Sequence, residues 1–562
     1  MLFAAALRRS LAEGYGRETL RADVLAGLVV GIVALPLSMA LGIAVGVPPQ
    51  HGLYTAIVAG IVVALLGGSR LQVTGPTAAF VVILAPIVTK YGLSGLLTAG
   101  LLAGLILVAM GFARMGRLIE YIPHPVTTGF TAGIGTVIAT LQLRDALGLK
   151  VAEMPETYFG KVHALWSARG TMRFAELAVA ASTLAILLLL PRVTKRVPAP
   201  LVAIVGVTMA TTLLHRLMPS FEVATIGSKF KTVIGDTTYL GIPPLPPRPM
   251  LPWGPGFGLQ QARELLGPAF AIAMLGAIES LLSAVIADGM AGTKHDPDAE
   301  LVGLGVGNIV APFFGGIAAT GALARTATNV RAGGRTPFAA VTHSVVVLAA
   351  ILLLAPFVAY VPMAALAGLL LLVAWNMSEV RHFVHTLKVA PKSDVSVLLA
   401  CYGLTVAFDM VIAVTAGVVM AALLFMRRMA ELTHARLIDE EAPAEHRDLP
   451  EGVSVYEIAG PLFFGAAQNA MSRLHTVGSK AKVVVLALGR VPVIDATGLV
   501  ALESALERLA IAKKKVIIAG PLPEPRRVFQ KANLSVRHDH VYFCDTFDEA
   551  ISMGRGLAEA SG

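Results

Sequence analysis

The sequence predicts a polytopic all-α membrane protein followed by a water-soluble α/β domain, and three observations predict it. Of 562 residues, 56% are hydrophobic and only 14% charged, with a mean hydropathy of +0.73; a soluble protein carries about a quarter charged residues. Apolar runs of about 20 residues, the length that crosses a hydrocarbon core, recur from Asp23 to Phe425. After Arg428 the pattern stops, and residues 429–562 have the mixed composition of one soluble domain. The expected division is an N-terminal segment (1–22), a membrane unit (23–428) and a soluble tail (429–562).

Apolar segments fall at roughly 23–45, 52–69, 73–89, 93–113, 123–143, 174–191 and 198–217, and again at about 265–288, 299–315, 320–333, 336–356, 361–376, 392–408 and 410–427. Hydropathy alone supports twelve to fourteen spans. Ahead of them, "LRRSLAEGYGRETLRAD" (7–23) reads equally as a basic amphipathic surface segment or as a solvated tail.

Basic residues set the orientation. With the N-terminus inside, the even-numbered connections carry Arg70; Arg114 and Arg117; Arg192, Lys195 and Arg196; Lys294; Arg331 and Arg335; Arg381 and Lys388; and Arg427 and Arg428. Among the short odd-numbered connections only "TKYG" holds a basic residue. Both termini are expected in the cytoplasm. The net charge of +9 is thus a topology signal, not a nucleic-acid surface. Two cysteines, Cys401 and Cys544, form neither a disulfide framework nor a metal site, and no cofactor motif occurs. The absence of "GxxxxGK[ST]" disfavours direct ATP coupling.

Two segments are wrong for ordinary spans. "LQVTGPTAAFVVILAPIV" (71–88) breaks at Gly75-Pro76, and "FFGGIAATGALARTATNVRAGG" (313–334) is rich in Gly and Ala. Each is third in a set of seven. Paired interrupted segments at matching places point to a transporter site, and an odd set size makes the repeats inverted. A helix beginning at mid-membrane directs unsatisfied N–H groups and its positive dipole end into a cavity, which favours an anion. Pro76 suits the first turn of such a helix. The competing reading of Gly-Pro is a simple kink.

These residues resemble the SulP anion transporters, the sulfate-permease or solute carrier 26 family. The resemblance rests on "PPQHGLYTAIVAG" (48–60), "VTGPTAAF", "LGAIESLL", "GNIVAPFFGG" and "ARTATNVRAGG" in the membrane unit. In the tail, "VVVLALGRVPVIDATGLVALESALERL" (483–509) resembles a STAS domain. It implies fourteen spans in 7+7 inverted repeats (about 23–217 and 265–428), with half-helices at spans 3 and 10 and a core moving against a gate. By motif, substrate would contact Thr74, Gly75, Pro76 and Thr77 on one half-helix and Gly321, Ala322, Leu323, Ala324 and Arg325 on the other. Ser38 would line the wall. The wording of "DGMAGTKH" and "LLLVAWNMSE" is most similar to a bacterial inner-membrane branch that imports C4-dicarboxylates with protons. Rivals are an inorganic anion carrier (sulfate, bicarbonate, chloride), a nucleobase carrier, and a membrane-anchored STAS signalling protein. The resemblance also implies a homodimer, and the tail a possible cytoplasmic protein partner.

Glu279 interrupts the apolar stretch "MLGAIESLLSAVIADG" (274–289). A charge at mid-span costs about 2.5–3.5 kcal/mol on insertion scales, so it faces a cavity or a partner. Glu279 can take a proton or pair with Arg325. If an anion displaced Arg325, anion and proton binding would be coupled, and reciprocally so. The alternatives are a static Glu279–Arg325 bridge, and a sodium site of Glu279 with Ser283 one turn on. His343 reads as a satisfied core histidine, His124 as an interfacial residue and Asp409 as a solvated turn residue. In the tail, Ala496 and Thr497 follow Asp495, so the phosphorylatable serine that the resemblance implies is missing; phosphoregulation by that route is not expected unless Thr497 stands in for it. No catalytic constellation is present in the tail, and an enzyme is not expected.

Overall fold

The structure is a computed structural model that describes all residues except 1–2, 120–121, 156, 195–196, 235–236, 255–257, 409, 432, 439–448, 473, 475–480 and 561–562. Asp409, Lys195 and Arg196 therefore lie outside the described residues. The chain divides into two compact units, 1–419 and 420–562.

In the first unit, helix α1 (Ala5–Ala12) precedes α2 (Arg17–Val45) and α3 (Pro49–Leu66), and strand β1 (Thr74–Gly75) leads into α4 (Ala78–Phe112). A single turn, α5 (Gly116–Ile119), is followed by α6 (His124–Ala146), α7 (Tyr158–Ser167), α8 (Phe174–Val193) and α9 (Ala199–Leu217). The short α10 (Ile226–Lys229) and hairpin β2 (Lys231–Ile234)–β3 (Thr237–Leu240) come next. The second set comprises α11 (Leu259–Ala291), α12 (Pro297–Val310), β4 (Thr320–Gly321), α13 (Leu323–Arg331), α14 (Pro337–Val358), α15 (Met363–Ser378), α16 (Val380–Val389), α17 (Lys392–Ala407) and α18 (Met410–Glu431).

Ten helices among the described residues are long and apolar enough to cross a bilayer. Fourteen segments are reached only by dividing α4 at Gly92, where the backbone leaves helical geometry (φ 66°, ψ −171°), and by including α12, α13 and α17, of 14, 9 and 16 residues. The two interrupted segments meet: β1 pairs antiparallel with β4, Thr74 opposite Gly321 and Gly75 opposite Thr320.

Small residues set the helix spacing, as expected without a hydrophobic drive between spans. A Cβ on Gly104 of α4 would stand 2.6 Å from the Gly305 carbonyl of α12, and one on Gly305 2.7 Å from the Gly104 carbonyl. Gly129 packs against α17 and Gly135 against α15 with equally little room.

The N-terminal segment is neither a solvated tail nor a free surface helix. The Ala4 and Ala6 amides donate to the Leu66 and Gly67 carbonyls (2.8 and 3.3 Å), capping the end of α3. Glu13 pairs with Arg70, and Arg9 donates to the Lys294 carbonyl (3.2 Å). The Arg70 guanidinium, by hydrogen bond and charge, holds the Glu13 carboxyl below its ordinary value.

In the second unit, β5 (His434–Ile438), β6 (Val453–Ala459), α19 (Phe464–Ser472), β7 (Val483–Arg490), α20 (Ala496–Ile511), β8 (Lys515–Ala519), α21 (Pro523–Lys531), α22 (Leu534–Arg537), β9 (Val541–Cys544) and α23 (Phe547–Glu559) follow in order. The sheet runs β5-β6-β7-β8-β9, with β5 antiparallel and the other pairings parallel. Alternate strand residues enter opposite cores: Tyr456, Leu486 and Ile518 meet Leu502 and Leu506 of α20, while Val455, Val485 and Ile517 meet Ala550 and Ala558 of α23. The alternation of strands and helices is that of the α/β domain expected of the tail.

Candidate functional site

A cavity of about 240 Å³ lies where the two interrupted segments meet. Pro76 and Thr77 enter it from one side and Gly321 to Arg325 from the other. Neither helix start is capped by its own N-cap side chain, Thr77 for α4 or Ala322 for α13. Two positive helix ends therefore bound one space, the arrangement that holds an anion without a ring of basic side chains. Pro76 does not stand in the first turn: the N-cap is Thr77, so Pro76 precedes it and its ring fixes the entry of the chain.

Arg325 is the only cationic residue among those lining the cavity, and it is 1% exposed. It donates to the Pro76 carbonyl, while its Nε and Nη1 have no protein partner. Its course explains Gly75. A Cβ there would stand 2.5 Å from Nη1, so a larger residue would push the guanidinium off its course along β1.

Glu279, half-buried, accepts a hydrogen bond from Thr77 Oγ1 (2.9 Å). The expected Glu279–Arg325 ion pair is not formed, because Arg325 is turned along β1 toward Pro76. The carboxylate is instead tied to the start of the first half-helix.

Other expected residues are displaced from the site. Ser38 is fully buried with its hydroxyl unpartnered; Leu37 and Leu41 supply the α2 wall in its place. Ser283 is also fully buried and donates to Thr326 Oγ1 (3.1 Å). Its hydroxyl points across to α13, so it does not join Glu279 in one pocket. Thr74 is 3% exposed and committed to the β1–β4 pairing. His343 is buried but not satisfied, since its Nε2 lacks a partner. His124 is exposed, with Nδ1 2.9 Å from Thr128 Oγ1.

Several residues escaped sequence reasoning. Phe130 and Thr131 of α6, Asn376 and Met377 of α15, and the exposed Glu379 beyond it close the opposite wall. Asn376, Met377 and Glu379 fall within the quoted "LLLVAWNMSE", but that stretch was not read as lining a site. Glu300 was missed as well, because it follows Asp296 and Asp298 in the first turn of α12, where a carboxylate is ordinary. It is 1% exposed and accepts from the Gly68 and Ser69 amides (both 2.9 Å), Gln72 Nε2 (2.8 Å) and Ser280 Oγ (3.3 Å). This network fixes the segment entering β1 to the turn of α11 that carries Glu279.

In the tail, the Asp495 carboxylate caps α20 by accepting from the Gly498 amide (2.7 Å), and Thr497 is exposed in the first turn.

Residues 20–401 match the sulfate permease family and residues 447–550 the STAS domain. The chain belongs to the sulfate permease family. It is 39% identical over 538 residues to the "Putative sulfate transporter YvdB" of Bacillus subtilis, covering 96% of this chain and 98% of that protein. It is 30% identical to the bicarbonate transporter BicA of Picosynechococcus, with 92% of each chain covered. The solved structure of murine Solute Carrier 26 family member A9 superposes with a TM-score of 0.84 at 17% identity, covering 98% of this chain and 94% of that one. The likeness gives the fold: a helical membrane transporter unit followed by a STAS domain. A sulfate permease of this kind is an integral membrane anion transporter.

Proposed function

We propose that the protein is a secondary active importer of a small inorganic oxyanion, of the class to which sulfate and bicarbonate belong, bound at the two half-helix starts beside Arg325. The observation that carries this reading is the convergence of two uncapped helix N-termini and one buried guanidinium on a single cavity. The names of the relatives agree with it. Import of C4-dicarboxylates gains no such support, since the relatives carry the names of sulfate and bicarbonate transporters.

Glu279 serves as the proton-coupling carboxylate. Its bond to Thr77 places it at the helix end that receives the anion. An arriving negative charge favours protonation of a nearby carboxylate, so anion and proton enter together. Sodium coupling through Glu279 and Ser283 is the weaker reading because Ser283 is engaged elsewhere. The membrane is the bacterial inner membrane, with both termini in the cytoplasm, the chain dimeric, and the STAS domain regulatory through Thr497 or a protein partner.

Labelled sulfate, bicarbonate and fumarate should be offered to proteoliposomes with and without an inward proton gradient. Gradient-driven uptake of sulfate or bicarbonate, lost in Arg325→Gln, is expected. Uptake of fumarate alone would reinstate the dicarboxylate reading. No flux of any anion would leave the STAS domain as the working part.

A further inference from the structure

Helix α16 contains no fully buried residue and no carboxylate, although it stands between two apolar helices, α15 and α17. It does not continue α15. At Glu379 the backbone turns left-handed (φ 41°, ψ 44°), a conformation that ends a right-handed helix and that residues other than glycine adopt at a cost. The stretch "VRHFVHTLKV" then sorts onto distinct faces at helical spacing. Phe383, Thr386 and Leu387 are half-buried. The Phe383 ring lies 5.5 Å from that of Tyr402 in α17, and the His382 ring 4.9 Å from that of His124 at the start of α6. Val380 and Val384, one turn apart, are exposed. Beside them Arg381, His385 and Lys388 form an exposed basic row, and none of the three is held in an ion pair among the described residues.

A helix with an uncovered apolar row beside a basic row suits neither water nor hydrocarbon, but the boundary between them. The ends of α15 and α17 that α16 joins set it at that level. Trp375, exposed in the last turn of α15, is of the residue type enriched there. At the boundary, Val380 and Val384 enter the acyl chains while the basic row meets headgroups. With no carboxylate on the helix to balance it, that row selects headgroups that are anionic.

We propose that α16 is a docking surface for anionic phospholipid headgroups, held by Arg381, His385 and Lys388, and that lipid bound there steadies one wall of the central cavity. The link between the two is short. Asn376, Met377 and Glu379 line that cavity and stand immediately before α16 in the chain. A helix anchored at the membrane surface fixes the left-handed turn at Glu379, and with it the position of those three residues. The effect on transport rests on the transport reading; the lipid contact does not.

Trp375 gives a direct reading of the lipid contact. In the full-length chain carrying Trp166→Phe and Trp253→Phe it is the one tryptophan left, and a brominated lipid quenches its fluorescence on contact. In vesicles of phosphatidylcholine and phosphatidylglycerol, brominated phosphatidylglycerol should quench more strongly than brominated phosphatidylcholine at equal fraction. That preference should fall by about tenfold in Arg381→Gln with Lys388→Gln, weaken in high salt, and survive Arg381→Lys with Lys388→Arg. Equal quenching by the two lipids, or a preference that the Gln double variant keeps, overturns the docking surface whether or not any anion is carried. Quenching by neither lipid would mean that protein covers this face, a second copy or the soluble domain, and overturns it equally. In proteoliposomes, uptake of labelled sulfate should be several-fold faster with phosphatidylglycerol than with phosphatidylcholine alone, and the Gln double variant should not respond. The same response in parent and variant overturns the link from lipid to cavity. No flux in any lipid would defeat the transport reading and that link with it, while the quenching result still decides the lipid contact.

Discussion

Arg325 and Glu279 divide the chemistry at the centre of the membrane unit, and each depends on one small neighbour. Arg325 needs the space that Gly75 leaves, since a Cβ would stand 2.5 Å from its Nη1. Gly75→Ala should therefore raise KM for the transported anion by about tenfold or more, as for loss of one charge-assisted contact worth about 1.5–3 kcal/mol, while detergent melting shifts little. An unchanged KM would mean that the guanidinium does not meet the substrate. Glu279 is held by Thr77. Glu279→Gln keeps the hydrogen-bonding shape without the titrating group, so gradient-driven uptake should vanish while tracer exchange at equal pH continues. Exchange and gradient-driven uptake lost together would point to a structural role instead.

The elements around the site are set by buried polar anchors and close backbone approach. Glu300 satisfies two backbone amides and Gln72 on the approach to β1. Glu300→Ala leaves them buried without partners, at about 1–3 kcal/mol for each orphaned donor. A marked fall in thermal stability in detergent is expected, with Glu300→Gln intermediate; equal stability of all three proteins would deny the anchor. The docking of α1 makes a different, pH-dependent claim. Glu13 titrates below the usual carboxylate range because of Arg70, so its contribution is present above the unfolded-state value near 4.5 and is lost as pH falls through the lowered one. Limited proteolysis between residues 9 and 21 should accelerate as the pH falls below 4.5, and Glu13→Gln should cleave faster already at neutral pH. Cleavage of that variant at the parent's rate would remove the ion pair from the docking.

At the scale of the whole molecule, the boundary between two compact units falls within α18. The second owns both faces of its five-stranded sheet and a core on each. Expressed alone, residues 433–562 should unfold in one cooperative transition, measurable by circular dichroism. A gradual, non-cooperative melt would mean that it needs the membrane unit. Proteoliposomes of a chain ending at Glu431 should retain uptake, since every residue lining the central cavity lies in the first unit; loss of flux from a well-folded truncation would make the tail part of the transport machinery.

Hydropathy and composition determined by themselves that the chain crosses a membrane many times and ends in a soluble α/β domain, because lipid imposes its requirement on every span separately. They also marked the two interrupted segments and Glu279, since a broken helix or a charge in an apolar run conflicts with that local requirement. Side-chain direction was decided only by tertiary structure. Ser38 is buried outside the cavity lining and Ser283 bonds Thr326 of α13, and Arg325 lies along β1 toward Pro76 and not against Glu279. That Phe130, Thr131, Asn376, Met377 and Glu379 form the far wall was not legible either. Its residues are ordinary for membrane helices, and only the packing of α6 and α15 brings them to the site.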